Sequence, residues 1–213
     1  MGKYHLATIA TKLLRFKKIS LLVVLLLFFF SFPHLKNKPL NVQIKKEYYD
    51  IKGTTLKEII YHIKKKNIKK SFSNNLSGAS IQASLIIKKI NLPKPTNGRC
   101  LLKKNNIRWV IKINYVLPLW VDIKKAPRSL QKRWDNYFSN ILIHENGHRD
   151  HFIDASKDIQ NYLDQITSEN QSDCLSFISV VKNKMISIFK SYEKKSLKYD
   201  INTQHGLNQG VLL

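Results

Sequence analysis

The chain has 213 residues, which is enough for one domain of ordinary size with a hydrophobic core. It carries 37 lysines and arginines against 14 aspartates and glutamates, a formal charge of +23 that suits an anionic partner. Only six of the 37 are arginines, the side chain that reads bases by bidentate contacts. The composition therefore predicts a solvated lysine surface, for which an anionic cell-envelope polymer or a membrane surface is a better partner than nucleic acid.

The first 35 residues have the pattern of an export signal. Five basic and no acidic residues precede an uncharged apolar run at 19–32. A helix of that length spans about 21 Å, short of the roughly 30 Å hydrocarbon layer. Because no A-x-A cleavage pattern follows, residues 1–35 are predicted to be either a signal peptide or a retained membrane anchor. We expect the remainder to be periplasmic or secreted.

The chain has two cysteines, Cys100 and Cys174. In an exported protein they can pair and close a long loop, worth on the order of 4 kcal/mol in the chain-entropy model. We therefore predict a disulfide, and the alternative is two buried thiols.

Polar residues 36–46 are predicted to be a linker, which leaves the domain at 47–213. Thr55 and Glu58 have the spacing of a capping box, so a helix is expected to begin there and run towards Lys66. Strands are predicted on either side of it, at 47–51 and 80–87.

The clearest strand pattern lies at 107–117. Apolar residues alternate with polar ones there, which indicates a half-buried strand with its apolar side inward. The inward positions are Ile107, Trp109, Ile111, Ile113, Tyr115 and Leu117.

A long amphipathic helix is predicted from Pro127 to Ile166, and TSENQSD at 167–173 ends it. A second amphipathic helix follows, with Val181, Met185 and Phe189 on one face. The predicted fold is α+β: a small antiparallel sheet packed on the long helix and on a second, antiparallel helix.

The long helix contains the sequence HENGH, in which His144 and His148 lie one turn apart on its apolar face. Two imidazoles at this spacing can bind one Zn²⁺, and Glu145 is then suited to take a proton from a metal-activated water. Gly147 costs about 1 kcal/mol relative to alanine inside a helix, so we expect it to permit close packing or substrate approach.

A catalytic zinc keeps three protein ligands, so a third ligand is expected. His151 lies about 10 Å along the helix axis from His144, too far to share the metal. Asp154 would point about 120° away from the histidine face. Two residues remain candidates for the third ligand on these grounds: Glu169, which lies 21 residues after His148, and His205. Asp200 is a further candidate, either as a ligand or as the carboxylate that orients His205.

An ordered series of motifs resembles a family of secreted bacterial proteins catalogued as domain of unknown function nine hundred and twenty-two and described as zinc-dependent proteases. The resemblance covers roughly Tyr48 to Gly210. It includes YYDIKGTTLKE, the GRC around Cys100, LPLW, Trp134, HENGH, Cys174 and YDINTQHGLNQG.

The resemblance implies a zincin-like metallopeptidase activity at His144, Glu145 and His148. It also makes YDINTQHG part of the domain, which favours His205 as the third zinc ligand. The predicted function is an exported zinc metallopeptidase with Glu145 as general base and a peptide or protein substrate. The alternatives are a cell-wall amidase or endopeptidase and a non-catalytic envelope module.

Overall fold

The computed structural model describes residues 41–68, 78–91, 100, 104–166 and 173–213. This part of the chain contains one sheet and three α-helices. The strands are β1 (Val42–Ile51), β2 (Ser80–Ile90) and β3 (Ile107–Trp120). The helices are α1 (Leu56–Ile68), α2 (Arg128–Gln165) and α3 (Cys174–Asn202). The predicted α+β class is confirmed. The predicted leader at 1–35 and Glu169 lie outside the described residues.

The sheet has the strand order β1–β3–β2, with β3 in the centre. β2 pairs with β3 antiparallel, as expected, but β1 pairs with β3 parallel. The sheet is therefore mixed, and the prediction of a purely antiparallel sheet was wrong. A parallel pair needs a crossover between its strands, and here α1 and β2 occupy that interval of the chain.

β3 forms the floor of the core. Its alternating positions are buried as predicted, none of them more than 6% exposed: Ile107, Trp109, Ile111, Ile113, Tyr115 and Leu117. The prediction for this strand is confirmed, because a central strand with one face on the core must alternate in this way.

β1 begins at Val42, five residues before the predicted start, so it takes in residues 42–46 that were assigned to the linker. Residues 43–48 of this edge strand are exposed on both faces. Without a buried face there is no apolar alternation to detect, and backbone pairing with β3 alone defines the strand.

The predicted capping box opens α1. The Glu58 carboxylate accepts hydrogen bonds from the backbone amides of Thr54 and Thr55 at 2.8 and 3.0 Å, and the Thr55 hydroxyl accepts one from the Glu58 amide at 3.4 Å. This pairing satisfies amides that have no partner within the helix.

Aromatic packing fixes the start of α2 against the sheet. Trp120 at the end of β3 lies 5.5 Å, ring centre to ring centre, from Trp134 on α2, and Trp134 lies at the same distance from Tyr137. All three side chains are at least 95% buried. These ring contacts fix the start of α2 on the sheet and thereby the direction in which the histidine face of α2 points.

α2 and α3 run antiparallel along most of their lengths. Phe152 packs on Phe189 with ring centres 5.6 Å apart, and one or two turns further along α2 the Tyr192 hydroxyl donates to Asp158 at 2.6 Å. The predicted disulfide between Cys100 and Cys174 is present and holds the first residue of α3. Residues 40–213 form a compact unit of their own, which contains the whole described core.

Among the helices of the described residues, none is both long and apolar enough to cross a membrane.

Candidate metal centre

Two histidines of α2 meet α3 at the buried interface between the helices. His144 is 3% exposed and His148 is 7% exposed. Their rings are nearly perpendicular, with centres 4.8 Å apart, and their Nε2 atoms are 3.3 Å apart. The spacing of four residues therefore brings the two ring nitrogens to one point, as the sequence predicted.

Asp200 of α3 supplies the third polar atom at this point. Its Oδ1 lies 3.2 Å from Nε2 of His144 and 3.0 Å from Nε2 of His148. Tetrahedral zinc with bonds of 2.0–2.2 Å requires ligand atoms roughly 3.3–3.6 Å apart, so a small outward adjustment admits the ion. Within the described residues, these three side chains form the one group of histidine, cysteine or acidic residues that could hold a metal.

The other ring nitrogens hold both histidines in orientation. Nδ1 of His144 donates to the side-chain oxygen of Gln209 at 2.8 Å, so Nε2 of the neutral ring keeps its lone pair. Nδ1 of His148 is 2.7 Å from the hydroxyl oxygen of Ser196, which can accept a hydrogen bond in the same way. When both rings are neutral with the proton on Nδ1, the two Nε2 lone pairs and Oδ1 of Asp200 converge on one point, which is the arrangement that a cation stabilises.

The charges around the site favour a bound cation. Burial lowers the pKa of His144, but hydrogen bonds to Asp200 and Gln209 and the negative charges of Glu145 and Asp200 outweigh it, and the pKa is raised. Burial raises the pKa of Asp200, but its hydrogen bonds to the two histidines and their charges outweigh it and hold that pKa well below the usual range. The carboxylate is therefore ionised under all ordinary conditions.

Glu145 lies next to His144 in the chain and is 2% exposed. Its charge acts both on His144 and on Tyr115 of β3, contributing to the raised pKa of each, although burial is the main cause for Tyr115. A second carboxylate is thus held in a desolvated position beside the metal group.

Gly147 allows α3 to approach the metal helix. A β-carbon at this position would lie 2.3 Å from the hydroxyl oxygen of Tyr199 and 2.4 Å from its Cζ. The Tyr199 ring stacks on His144 at 5.2 Å between centres, and its hydroxyl accepts a hydrogen bond from Gln209 at 2.9 Å. The glycine therefore serves close packing, one of its two expected roles.

His205 lies at the edge of the same group. Its Nδ1 is 3.5 Å from Oδ1 of Asp200, and its side chain is 41% exposed. Gln204 and His205 both have positive φ angles, 49° and 54°, in the turn that follows α3. This turn brings His205 beside the carboxylate, while Asp200 lies nearer to the two helix histidines.

The two residues of α2 that the sequence analysis set aside lie away from the metal group. Asp154 is exposed and pairs with Lys157 at 2.8 Å. His151 contacts the Tyr199 ring edge at 5.7 Å between centres.

Sequence reasoning missed Ser196 and Gln209. Ser196 lies one helical turn before Asp200, so the position of Asp200 on a helix would have pointed to it. Gln209 comes from the segment after α3, and no local pattern indicates that it folds back onto His144.

The fold and the site together define an α+β domain with an HExxH helix and a buried site of two histidines and one aspartate. The family described as "Bacterial protein of unknown function (DUF922)" matches residues 46–206, and the chain belongs to this family. Neither the comparison with curated proteins nor that with solved structures found a match.

Proposed function

We propose that this protein is an exported zinc-dependent metallopeptidase. The observation that carries the proposal is the convergence of His144, His148 and Asp200 beside the buried Glu145. Two imidazoles and one carboxylate are a common ligand set of catalytic zinc, with one coordination position left for water or substrate.

Zn²⁺ would be held by Nε2 of His144, Nε2 of His148 and Oδ1 of Asp200. His205, which the sequence favoured as third ligand, lies close enough to Asp200 to remain a candidate ligand or a residue that orients the carboxylate. When bound, zinc supplies Lewis-acid chemistry: it polarises a carbonyl and makes water more acidic.

Glu145 acts as the general base in this proposal. A carboxylate oxygen takes a proton from the attacking water and returns it to the nitrogen of the leaving amine. Gln209 and Ser196 keep the two histidines in the orientation that exposes Nε2 to the metal. The buried position of the histidines excludes bulk water from one side of the site and strengthens its electrostatic interactions.

The proposed substrate is a peptide bond in a peptide or protein outside the cytoplasm. A cell-wall amidase or endopeptidase uses the same chemistry, and the positive charge of the chain favours an anionic polymer as its surroundings.

The second candidate is a structural metal site in a non-catalytic envelope module. The near-complete burial of both histidines and their position between two helices favour it. A structural site has no use for a general base, however, so the role of Glu145 separates the two candidates.

The test uses purified residues 40–213, their metal content and their cleavage of a mixture of unstructured peptides. We expect about one zinc per chain and cleavage that a chelator abolishes. Glu145→Gln should keep the zinc and lose cleavage by at least about a hundredfold, the usual range for a general base. A zinc-loaded protein that cleaves nothing would leave the structural candidate, and equal cleavage after this change would exclude Glu145 as the general base.

A second set of variants identifies the third ligand by zinc affinity. Asp200→Ala is expected to weaken binding more than His205→Ala does, because Oδ1 of Asp200 lies nearer to both histidines. His62→Ala on α1 is the matched control and should change nothing. A larger loss from His205→Ala would restore the assignment made from the sequence.

A further inference from the structure

The outer face of α3, opposite its buried side, combines lysines with exposed apolar side chains. At roughly 100° per residue, the members of this group fall within about 100° of one another around the helix. The group, called here the α3 outer face, consists of Lys190, Lys194, Leu197, Lys198 and Ile201.

The three lysines stand four residues apart and form a column along two turns of the helix. All three are exposed. Among the residues that the structure describes, no carboxylate forms an ion pair with any of them. The column is therefore a positively charged stripe, available to an anionic partner.

The two apolar residues lie within the same stripe. Leu197 is 64% exposed and Ile201 is 72% exposed, and they are one helical turn apart. The buried side of the helix, with Val181, Met185 and Tyr192, already meets α2 and the core. The core therefore does not account for the apolar character of Leu197 and Ile201.

We propose that the α3 outer face binds the surface of an anionic lipid membrane. Lysine ammonium groups would contact lipid phosphates while Leu197 and Ile201 insert between the headgroups, as on an interfacial amphipathic helix. A soluble polyanion would use the lysines but gain nothing from two exposed aliphatic side chains, so the combination favours lipid.

This binding would hold the metal centre close to the membrane. Asp200 immediately precedes Ile201, is turned about 100° from it around α3, and contacts the histidines of α2. A membrane at the outer face would lie within one helix diameter, about 10–12 Å, of the site. Substrates near a lipid surface would then be favoured, although the surface itself does not depend on catalysis.

The test measures co-sedimentation of residues 40–213 with vesicles of neutral lipid alone and of neutral lipid with one third anionic lipid. We expect binding to the anionic vesicles only, weakening steeply as salt is raised. Replacement of Lys190, Lys194 and Lys198 by Gln should weaken partition roughly a hundredfold, since each lysine near an anionic surface contributes about a fivefold gain. Leu197→Ser with Ile201→Ser should weaken it on the order of tenfold.

The matched control replaces three exposed lysines of α1, Lys57, Lys64 and Lys65, by Gln and should weaken partition by no more than about tenfold, half of the α3 loss on a logarithmic scale. Equal losses in the two triple variants would overturn the proposal, because net charge alone would then explain binding. Vesicle binding that is insensitive to the serine changes and is competed away by soluble polyphosphate would overturn it in favour of a polyanion. A dimer in the absence of lipid that the serine changes dissociate would overturn it in favour of a second copy of the chain. Glu145→Gln should bind vesicles normally, so failure of the enzymatic proposal is scored separately.

Discussion

The two ends of α3 are held in place by different kinds of interaction. At its first residue, the Cys100–Cys174 disulfide ties α3 to the part of the chain before β3, and further along α3 the Phe152–Phe189 contact packs it on α2. At the other end, the contacts are polar and bring three electron-pair donors together. The first end is complete in the chain alone, whereas the second presents three ligand atoms that could hold a cation.

This difference predicts separable behaviour. Changes at the disulfide end should alter the free energy of unfolding with little effect on zinc affinity. Changes at the metal end should alter zinc affinity strongly and the stability of the metal-free protein less.

The largest expected effect is removal of the disulfide by Cys100→Ser with Cys174→Ser. The bond closes a loop of 74 residues in sequence separation, for which the chain-entropy model gives about 4.5 kcal/mol of unfolding free energy. Denaturant unfolding measures this loss. Calorimetric titration should find that zinc affinity stays within about threefold of the wild type, a smaller change than the tenfold that corresponds to about 1.4 kcal/mol. A drop in affinity as large as the drop in stability would show that the ends are coupled.

Gly147→Ala should disturb the metal end. Alanine gains about 1 kcal/mol in helix propensity but forces Tyr199 away, and overpacking of this kind costs about 1–3 kcal/mol. We expect lower zinc affinity together with a small net loss of stability. Asn161→Ala, on the exposed face of the same helix, is the control and should only gain stability. If both variants are equally stable and bind zinc equally, the Tyr199 contact does not matter.

Gln209 is expected to contribute 10–100-fold to zinc affinity, the usual effect of a residue that orients a metal-binding histidine. Gln209→Leu removes the acceptor for Nδ1 of His144 and should show this loss in a competition assay. Gln209→Glu keeps an acceptor and should retain zinc. An equal loss in the two variants would point to packing of the segment after α3 instead of histidine orientation.

The smallest expected effect is on the pH dependence of the zinc-induced shift in Tm. The raised pKa of His144 means that its proton stabilises the metal-free fold at low pH and that this contribution disappears as pH rises through the folded-state pKa. Zinc requires the neutral ring, so the shift in Tm should be largest at alkaline pH. As pH falls, the shift should begin to decrease at a pH above about 6.5, the ordinary pKa of histidine. A shift that stays constant from pH 8 to 5 would contradict this site.

The sequence predicted those parts of the molecule that depend on local periodicity. The alternation of β3 and the capping box at Thr55 needed only neighbouring residues, and His144 and His148 needed only the four-residue spacing of a helix. The disulfide followed from the expectation of export.

What the sequence did not predict depends on residues far apart in the chain. The parallel pairing of β1 with β3 is a choice between strand partners that neither strand encodes by itself. The positions of Asp200 and Gln209 depend on how α3 and the following turn dock on α2. The positive φ angles at Gln204 and His205, residues that are not glycine, gave no warning that the turn would direct His205 to the edge of the group.

The sequence separation of 52 residues between His148 and Asp200 also determines when the site can form. During synthesis, both histidines leave the ribosome dozens of residues before the aspartate and Gln209 exist. A nascent chain therefore carries only two of the three side chains of the group, with a metal affinity far below that of all three together. The full group of three ligand atoms therefore forms only once α3 has docked on α2, late in synthesis.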